Sequence, residues 1–256
     1  MKTFLALFAA VALFGSNCAF GQDEGRAVGI EFTSTFWMLG ADGGIRAGGR
    51  SVNLQSDLGI TGRRLNDLMR VALKLGRTHR LVFEGASYQL KGSHDVSLPF
   101  QFSGGNFAIQ DTIYAKPTVR YAFAGYARDL FNTTYDHLGI ELGASYLRGT
   151  GFVQSLRSGL SASRSASLPL PIAGLDYTHN LSGIAERFEI SAHISGMTAG
   201  SYGHYVRGSA QAGARVWPHV FVSGGYGVLR LDATRNADNI DVRFRGPIVS
   251  VEFRDR

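Results

Sequence analysis

Hydrophobic and polar residues alternate along much of the chain. The stretch from Ala27 to Met38 reads AVGIEFTSTFWM, and apolar side chains recur there at every second position. The apolar set is Val28, Ile30, Phe32, Phe36 and Met38, and the polar set is Glu31, Thr33 and Thr35. A period of two predicts a β-strand with one apolar and one polar face.

Nine further segments repeat this alternation, with turn-forming residues between them. They are Leu68–Leu75, Arg80–Leu90, Thr112–Tyr126, His137–Leu147, Pro171–His179, Arg187–Met197, Tyr205–Val216, Val220–Leu231 and Arg245–Phe253. The pattern predicts an all-β fold of about ten antiparallel strands. Residues 66–76 also fit a helix stripe, which leaves eight strands as the alternative.

The connections between these segments differ in length. Those near Gly76, Leu130, Ser182 and Pro218 are short. Longer ones, rich in Gly, Ser, Arg and Asn, cover Gly40–Asp67, Lys91–Asp111, Arg148–Leu168 and Ala233–Asp241, whereas the connection near Gly200 is short. Short turns at one end and longer loops at the other are typical of an up-and-down transmembrane β-barrel. Because lipid offers backbone groups no hydrogen bonds, only a closed sheet carries such strands through a membrane.

Composition supports this fold class. Of the 256 residues, 45% are hydrophobic and 18% charged, and glycine is abundant at 33 residues. The net charge of +6 comes from dispersed arginines. Since no basic run has the density of a nucleic-acid-binding arm, we expect no nucleic acid partner.

The first residues predict export. Lys2 precedes the apolar run Phe4–Phe14, and the small-residue site Ala19-Phe20-Gly21 follows. This pattern predicts a signal peptide over residues 1–21 and one barrel domain over residues 22–256. Cys18 is the sole cysteine, so the mature chain has no thiol for disulfide, nucleophilic or metal chemistry. After residue 22 no apolar run reaches the ~18 residues of a transmembrane helix.

Several stretches resemble a family of uncharacterised bacterial outer-membrane β-barrel proteins. These stretches are Ser51–Ile60 (SVNLQSDLGI), Thr78–Gly92 (THRLVFEGASYQLKG), Phe100–Gly105 (FQFSGG) and Arg245–Pro247 (RGP). The resemblance implies a Gram-negative outer-membrane location, with lipid and lipopolysaccharide around the wall and the barrel assembly machinery as the partner for insertion. It implies no activity, catalytic residue or cofactor. Chains of outer-membrane barrels tend to end in an aromatic residue, whereas here three residues follow Phe253.

If the apolar face of each strand meets lipid, the charged residues on the opposite face line the lumen. The predicted lumen set is Glu31, Arg70, Lys74, Glu84, Lys116, Arg120, Glu141, Asp176, Glu189, Arg207, Arg215 and Glu252. Six positive and six negative charges predict a lumen filled by ion pairs, since buried charges require partners. This favours a structural or surface-interaction role, with a narrow small-solute pore as the alternative.

One strand carries candidates for catalysis. Glu189, Ser191, His193 and Ser195 share a face, and an acid, an imidazole and a hydroxyl invite a hydrolase hypothesis. The His-x-Ser spacing is similar to that of outer-membrane lipid A deacylases, but Gly196 stands where that family has Asn. Residues two apart on a strand lie ~6.5–7 Å apart, so polar lumen packing is the preferred interpretation.

Arginines in the long connections match phosphate geometry. Arg46, Arg50, Arg63, Arg64, Arg157 and Arg164 are therefore predicted lipopolysaccharide contacts, with solvated loop charge as the alternative. The glycine-rich Gly40–Arg50 lacks the ending of a phosphate-binding loop and is predicted to be a flexible outer loop. The seven histidines form no His-x-His pair, so no metal site is expected.

Overall fold

The chain folds into a closed barrel of antiparallel strands. The computed structural model describes residues 28–47, 50–95, 100–102, 104–107, 111–133, 135–181, 187–198, 203–235 and 238–255. The predicted signal peptide, residues 1–21, lies outside these residues. No helix of membrane-spanning length and hydrophobicity occurs in the described part of the chain.

Fifteen strands occur in the described residues. In chain order they are β1 (Val28–Ala47), β2 (Arg50–Asn53), β3 (Arg64–Leu75), β4 (His79–Gln89), β5 (Gly92–Asp95), β6 (Phe100–Phe102), β7 (Gly105–Phe107), β8 (Thr112–Ala115), β9 (Thr118–Asn132), β10 (Asp136–Ser155), β11 (Ser161–Asn180), β12 (Phe188–Thr198), β13 (Gly203–Trp217), β14 (Val220–Arg235) and β15 (Asp238–Arg254).

Ten long strands form the barrel wall, in the order β11-β12-β13-β14-β15-β1-β3-β4-β9-β10. Pairing of β10 with β11 closes the ring. The ten-stranded prediction is confirmed, and residues 66–75 form part of β3 rather than a helix. The five short strands belong to the connections between β1 and β3 and between β4 and β9.

The two ends of the barrel differ. At the end that we call the inner end, β1 begins, β15 finishes, and short turns follow β3, β9 and β13. The opposite, outer end carries the described residues 50–63, 90–95, 100–102, 104–107 and 111–117, which hold the short strands. In outer-membrane barrels the short-turn end is periplasmic.

At the outer end the strands run further than the sequence predicted. Most of the predicted connection Arg148–Leu168 is strand, because β10 and β11 pair in register from Asp136–His179 to Gln154–Ser161. Likewise β1 continues to Ala47, so most of Gly40–Arg50 is strand and not a flexible loop. Gly43 has φ +110°, and a Cβ there would lie 2.1 Å from the Asp241 oxygen, so glycine is required. Polar composition misled the prediction, since strands above a membrane are solvated on their outer face.

The outer wall is apolar over its inner and middle parts. Large hydrophobic side chains stay exposed there, among them Phe36, Phe83, Leu142, Leu175, Ile194, Val228 and Val249, at 42–58%. An exposed apolar surface of this extent marks an interaction with lipid or protein. Aromatic side chains with similar exposure, such as Tyr126, Tyr146 and Trp217, accompany them.

β9 presents the opposite faces from those predicted. Tyr121 and Phe123 are each 4% exposed and point into the barrel, while Arg120 is exposed on the outer wall. Lys116 lies in the break between β8 and β9. Arg120 is therefore not a lumen charge, because the outer half of the interior is itself apolar and the apolar face of β9 points inward there.

Candidate functional site in the barrel interior

Six charged or ionisable side chains meet inside the barrel, and we call them the ion cluster. Its members are Arg70, Glu84, Glu141, Asp176, His193 and Arg207, contributed by β3, β4, β10, β11, β12 and β13. Each lies on an inward-facing position of its strand. The cluster therefore joins six of the ten wall strands across the interior.

Arg70 holds three carboxylates of this cluster. Its Nη1 donates to Glu84 Oε1 at 2.6 Å, and its Nη2 lies 2.7 Å from Glu141 Oε2 and 3.4 Å from Asp176 Oδ2. Arg207 Nη2 reaches the other Glu84 oxygen at 2.7 Å. Hydrogen bonds to ionised groups are the strong ones, and the planar guanidinium suits two acceptors at once.

A second set of ion pairs lies nearer the inner end. Lys74 Nζ contacts Glu31 at 2.7 Å, and Asp129 Oδ1 lies 2.9 Å from both Arg80 Nη2 and His137 Nε2. Arg254 holds Glu189 with two bonds of 2.8 and 2.9 Å and also contacts Glu252. These contacts link β1 with β3, both β4 and β10 with β9, and β12 with β15.

Above the ion cluster, toward the outer end, aromatic rings cross the interior. We call Trp37, Tyr88, Tyr121, Tyr205 and Phe244 the aromatic layer; each is at most 5% exposed. Trp37 meets Tyr88 edge-on at 5.7 Å, and Tyr121 stacks on Tyr205 at 6.4 Å. The Arg207 guanidinium lies 5.3 Å from the Tyr121 ring, which joins the layer to the ion cluster.

Beyond the aromatic layer the interior is filled by aliphatic side chains. Wall residues such as Leu39 and Leu229 pack with Leu54, Leu58 and Ile60 from the connection between β1 and β3. Ile113 of β8 is fully buried in the same core. Residues 54–60 and β8 thus pack into the outer half of the barrel.

A cavity of roughly 540 Å³ occupies the inner half. Its lining includes Glu31, Lys74, His137, Asn180 and Arg254 near the inner end, and Arg70, His193, Arg207 and Trp37 deeper inside. The cavity is large enough for a small ligand. It ends at the ion cluster and the aromatic layer.

Asp176, His193 and Ser195 form a hydrogen-bonded chain. Asp176 Oδ1 lies 2.5 Å from His193 Nδ1, and His193 Nε2 lies 3.0 Å from Ser195 Oγ. Arg207 Nη2, which can only donate, approaches the same Nε2 at 3.3 Å. These partners assign the proton to Nδ1 and the lone pair to Nε2, so Ser195 donates to the imidazole. That is the arrangement of an acid–base–nucleophile triad.

The sequence named Glu189 as the acid for His193, and the structure gives that place to Asp176. Asp176 and His193 are direct cross-strand partners of β11 and β12, whereas Glu189 binds Arg254. His193 and Ser195 share a hydrogen bond although their backbone positions lie ~6.5–7 Å apart, because the two side chains lean together. A hairpin register between Asp176 and His193 was the missing information.

Most of the predicted lumen charges do point inward. Arg70, Glu84, Glu141, Asp176 and Arg207 lie in the ion cluster, while Glu31, Lys74, Glu189 and Glu252 join the pairs nearer the inner end. Arg215 faces inward, with its guanidinium 5.4 Å from the Phe221 ring. The prediction missed four inward-facing residues near strand ends, where the rule of alternating faces was not applied. They are Arg80, Asp129, His137 and Arg254.

The arginines predicted to contact lipopolysaccharide lie in the outer half of the molecule, in two groups. Arg46, Arg63 and Arg64 are exposed around β1 and β3, and Arg157 and Arg164 are exposed around β10 and β11. Arg50 begins β2, and its side chain lies outside the described part of the structure. Their lipopolysaccharide contacts stay a prediction. Among the described residues, no group of three or more His, Cys, Asp and Glu side chains could hold a metal ion.

Comparison with solved structures identifies the fold. The outer-membrane protease OmpT from Escherichia coli matches with a TM-score of 0.59 at 11% identity, covering 91% of this chain and 99% of that one. The translocator domain of the autotransporter NalP from Neisseria meningitidis matches at 12% identity over 99% and 96% of the two chains, with a TM-score of 0.43. Ail of Yersinia pestis matches at 14% identity over 89% and 99%, with a TM-score of 0.40.

This chain thus has the closed antiparallel β-barrel fold of OmpT, an outer-membrane protein. No protein-family model and no curated protein sequence matches it. At 11% identity the match to OmpT carries the fold and not the activity.

Proposed function

We propose that this chain is a sealed β-barrel of the outer membrane, with a structural or surface-interaction role and no solute channel. Its fold and its apolar outer wall support the membrane location. The signal peptide predicted over residues 1–21 supports export. In this role the wall meets lipid and the outer strands and connections meet the exterior.

The aromatic layer is the observation that carries the proposal. Its rings come from β1, β4, β9, β13 and β15, which lie on different sides of the ring. The aliphatic core formed with Leu54, Leu58 and Ile60 lies beyond it. A solute in the cavity would have to displace both to reach the outer end. Small barrels of about eight strands are likewise filled by their interior side chains.

The charges of the interior also favour a sealed barrel over a selective pore. A selective pore presents rings of one charge sign to passing ions. Here acidic and basic side chains contact one another directly, and Glu84 and Glu141 are at most 2% exposed as side chains. Such pairs hold the wall together rather than attract a permeant ion.

Single-channel recording in planar bilayers tests the proposal. We expect the purified protein to give no conductance steps under conditions in which a general porin conducts. A variant carrying Tyr121→Gly and Tyr205→Gly together with Leu54→Gly, Leu58→Gly and Ile60→Gly weakens both the aromatic layer and the aliphatic core. It should give brief openings, which shows that insertion occurred. Stable steps from the unaltered protein would contradict the proposal and favour the narrow pore.

A second candidate function, a lipid-modifying hydrolase, rests on the Asp176–His193–Ser195 chain. His193 lines the cavity, but Ser195 is only 3% exposed, which favours the sealed barrel over the hydrolase. Labelling with a fluorophosphonate probe separates the two proposals. A hydrolase requires labelling that Ser195→Ala and His193→Ala abolish and that Ser191→Ala, on the same face, retains. Equal background labelling of all four proteins removes the hydrolase.

A further inference from the structure

Two arginines face each other on the outer wall of the barrel. Arg120 of β9 and Arg148 of β10 are direct cross-strand partners, and both are exposed on the outward face. In the part of the chain that the structure describes, neither has a carboxylate within ion-pair distance. Like charges directly opposite each other destabilise a sheet. An anion between the two guanidinium groups would convert this repulsion into attraction.

Serine hydroxyls continue the row on both sides. Ser87 of β4 opposes Arg120, and Ser167 of β11 opposes Arg148, again on the outward face. Four neighbouring strands therefore present Ser87, Arg120, Arg148 and Ser167 side by side. Guanidinium groups flanked by hydroxyls donate hydrogen bonds in the directions that a phosphate accepts.

The row marks a boundary on the wall. On the side of the inner end, the next outward positions are Ala122 and Tyr146, followed by Ala124 and Ala144. On the side of the outer end, the next positions are Thr118 and Thr150, and Thr150 bonds to Ser165 at 3.0 Å. On β9 and β10 the outward positions next to the row are therefore Ala122 and Tyr146 below it and two threonines above it.

The height of the row matches the edge of a membrane. Along β9 the next outward charge toward the inner end is Arg128, exposed and eight residues away. Eight residues span roughly 27 Å along a strand, or about 20 Å along the membrane normal at a tilt of ~40°. The apolar band of such barrels is about 25 Å tall, and arginines at its edges extend away from it. Arg120 and Arg148 thus lie at the level of lipid phosphates.

We propose that Arg120 and Arg148 together bind a phosphate of lipid A, the membrane anchor of lipopolysaccharide. At the outer edge of the wall the neighbouring lipid is that of the outer leaflet. A phosphate there neutralises both guanidinium groups, and the acyl chains of the same molecule lie against Tyr146 and the apolar wall below. This inference rests on the outer-membrane placement proposed above, which cell fractionation tests independently.

The opposite side of the ring offers a matched control. Arg230 and Arg243 are also outward-facing cross-strand partners, on β14 and β15. Their charges are met by acidic neighbours, because Arg230 lies 3.7 Å from Asp232 and from Asp241, and Arg243 lies 3.8 Å from Asp241. Replacing this pair removes the same number of arginines without removing an uncompensated charge pair.

The test measures binding of purified lipid A to the full-length protein in detergent micelles by native mass spectrometry. We expect the variant Arg120→Gln/Arg148→Gln to bind lipid A at least about tenfold more weakly than the unaltered protein. The variant Arg230→Gln/Arg243→Gln should change by less than about threefold. Two control lipids are dephosphorylated lipid A and phosphatidylglycerol. Each should bind the unaltered protein about as weakly as lipid A binds the Arg120→Gln/Arg148→Gln variant.

A thermal unfolding series separates loss of binding from loss of folding. Without lipid A, the Arg120→Gln/Arg148→Gln variant should unfold at the same temperature as the unaltered protein or higher, since it has lost a repulsion. Added lipid A should raise the unfolding temperature of the unaltered protein only. Equal lipid A binding by both proteins overturns the proposal, as does equal binding of phosphatidylglycerol. If the first variant does not fold, the unaltered protein still tests the proposal. Its affinity for lipid A is then compared with its affinity for the dephosphorylated lipid, and equal affinities overturn the proposal.

Discussion

At the scale of single residues, Arg70 carries an unusual share of the interior contacts. It meets Glu84, Glu141 and Asp176, which belong to three different strands. Two of these carboxylates are at most 2% exposed as side chains. Removing one member of a buried ion pair leaves the other charge without compensation, which costs far more than the pair contributes when intact.

We therefore expect Arg70→Leu to lower the free energy of unfolding by about 3–5 kcal/mol. Urea titration of the protein in phospholipid vesicles, followed by tryptophan fluorescence, measures this change. Lys74→Leu is the control, since Lys74 is 37% exposed as a side chain and its ion pair is with Glu31. It should cost clearly less than Arg70→Leu, because Lys74 is partly solvated and Glu31 keeps Arg80 at 4.0 Å.

A second substitution checks the cause of the loss. Adding Glu141→Leu to Arg70→Leu removes one uncompensated carboxylate and should recover part of the stability. Should Arg70→Leu cost no more than Lys74→Leu, the ion cluster does not hold the wall together.

The sequence predicted many inward charges at the residue scale but not their partners. Alternation along a strand tells which side chains point inward, and Arg70, Glu84 and Glu141 follow that rule. Partners such as Asp176 and His193 depend on the register between strands, and alternation within one strand does not encode it.

At the scale of elements, the sequence predicted all ten wall strands because membrane-facing segments must alternate. It missed the outer extensions of β10 and β11, since the same residues, Gly, Ser and Arg, also form loops. It also reversed β9, because Tyr121 and Phe123 look lipid-facing in a chain where apolar side chains usually face outward. Both are buried inside the barrel instead, and Tyr121 belongs to the aromatic layer.

Cysteine labelling of intact cells tests the height of the membrane boundary on β10. Thr150 and Ala144 lie on the same outward face, six residues apart, above and below the row of Arg148. We expect Thr150→Cys to react with a membrane-impermeant maleimide, and Ala144→Cys to stay unlabelled because lipid covers it. Leu147→Cys, which points inward, should also stay unlabelled. Labelling of Ala144→Cys would place the membrane boundary lower on the wall.

At the scale of the whole molecule, closure of the ring decides the behaviour in gels. Every long strand has two long neighbours, and the pairings β10–β11 and β1–β15 leave no open edge in the ring. The number of segments and the alternation of their connections sufficed to predict this closure. The folding of residues 54–60 and of β8 into the outer half was not predictable, since nothing local distinguishes such a segment from a solvated loop.

We expect the protein from isolated outer membranes to migrate differently on a denaturing gel before and after boiling, since a closed barrel resists the detergent until it is heated. A chain shortened to end before β15 is the control and should show one mobility. One mobility for the full chain, recovered from the soluble periplasm, would contradict both the barrel in lipid and the sealed-barrel proposal.

The seam between β1 and β15 has a consequence for how the molecule forms. Thr35 and Ser250 share a hydrogen bond of 2.8 Å across this seam, although 215 positions separate them in the chain. Contacts between such distant residues form late, because the entropy lost in closing a long loop is repaid only when many contacts form together. Until the last strand arrives, the first keeps an unpaired edge that other chains could join. The time spent with the ring open therefore sets the exposure of this protein to aggregation and proteolysis.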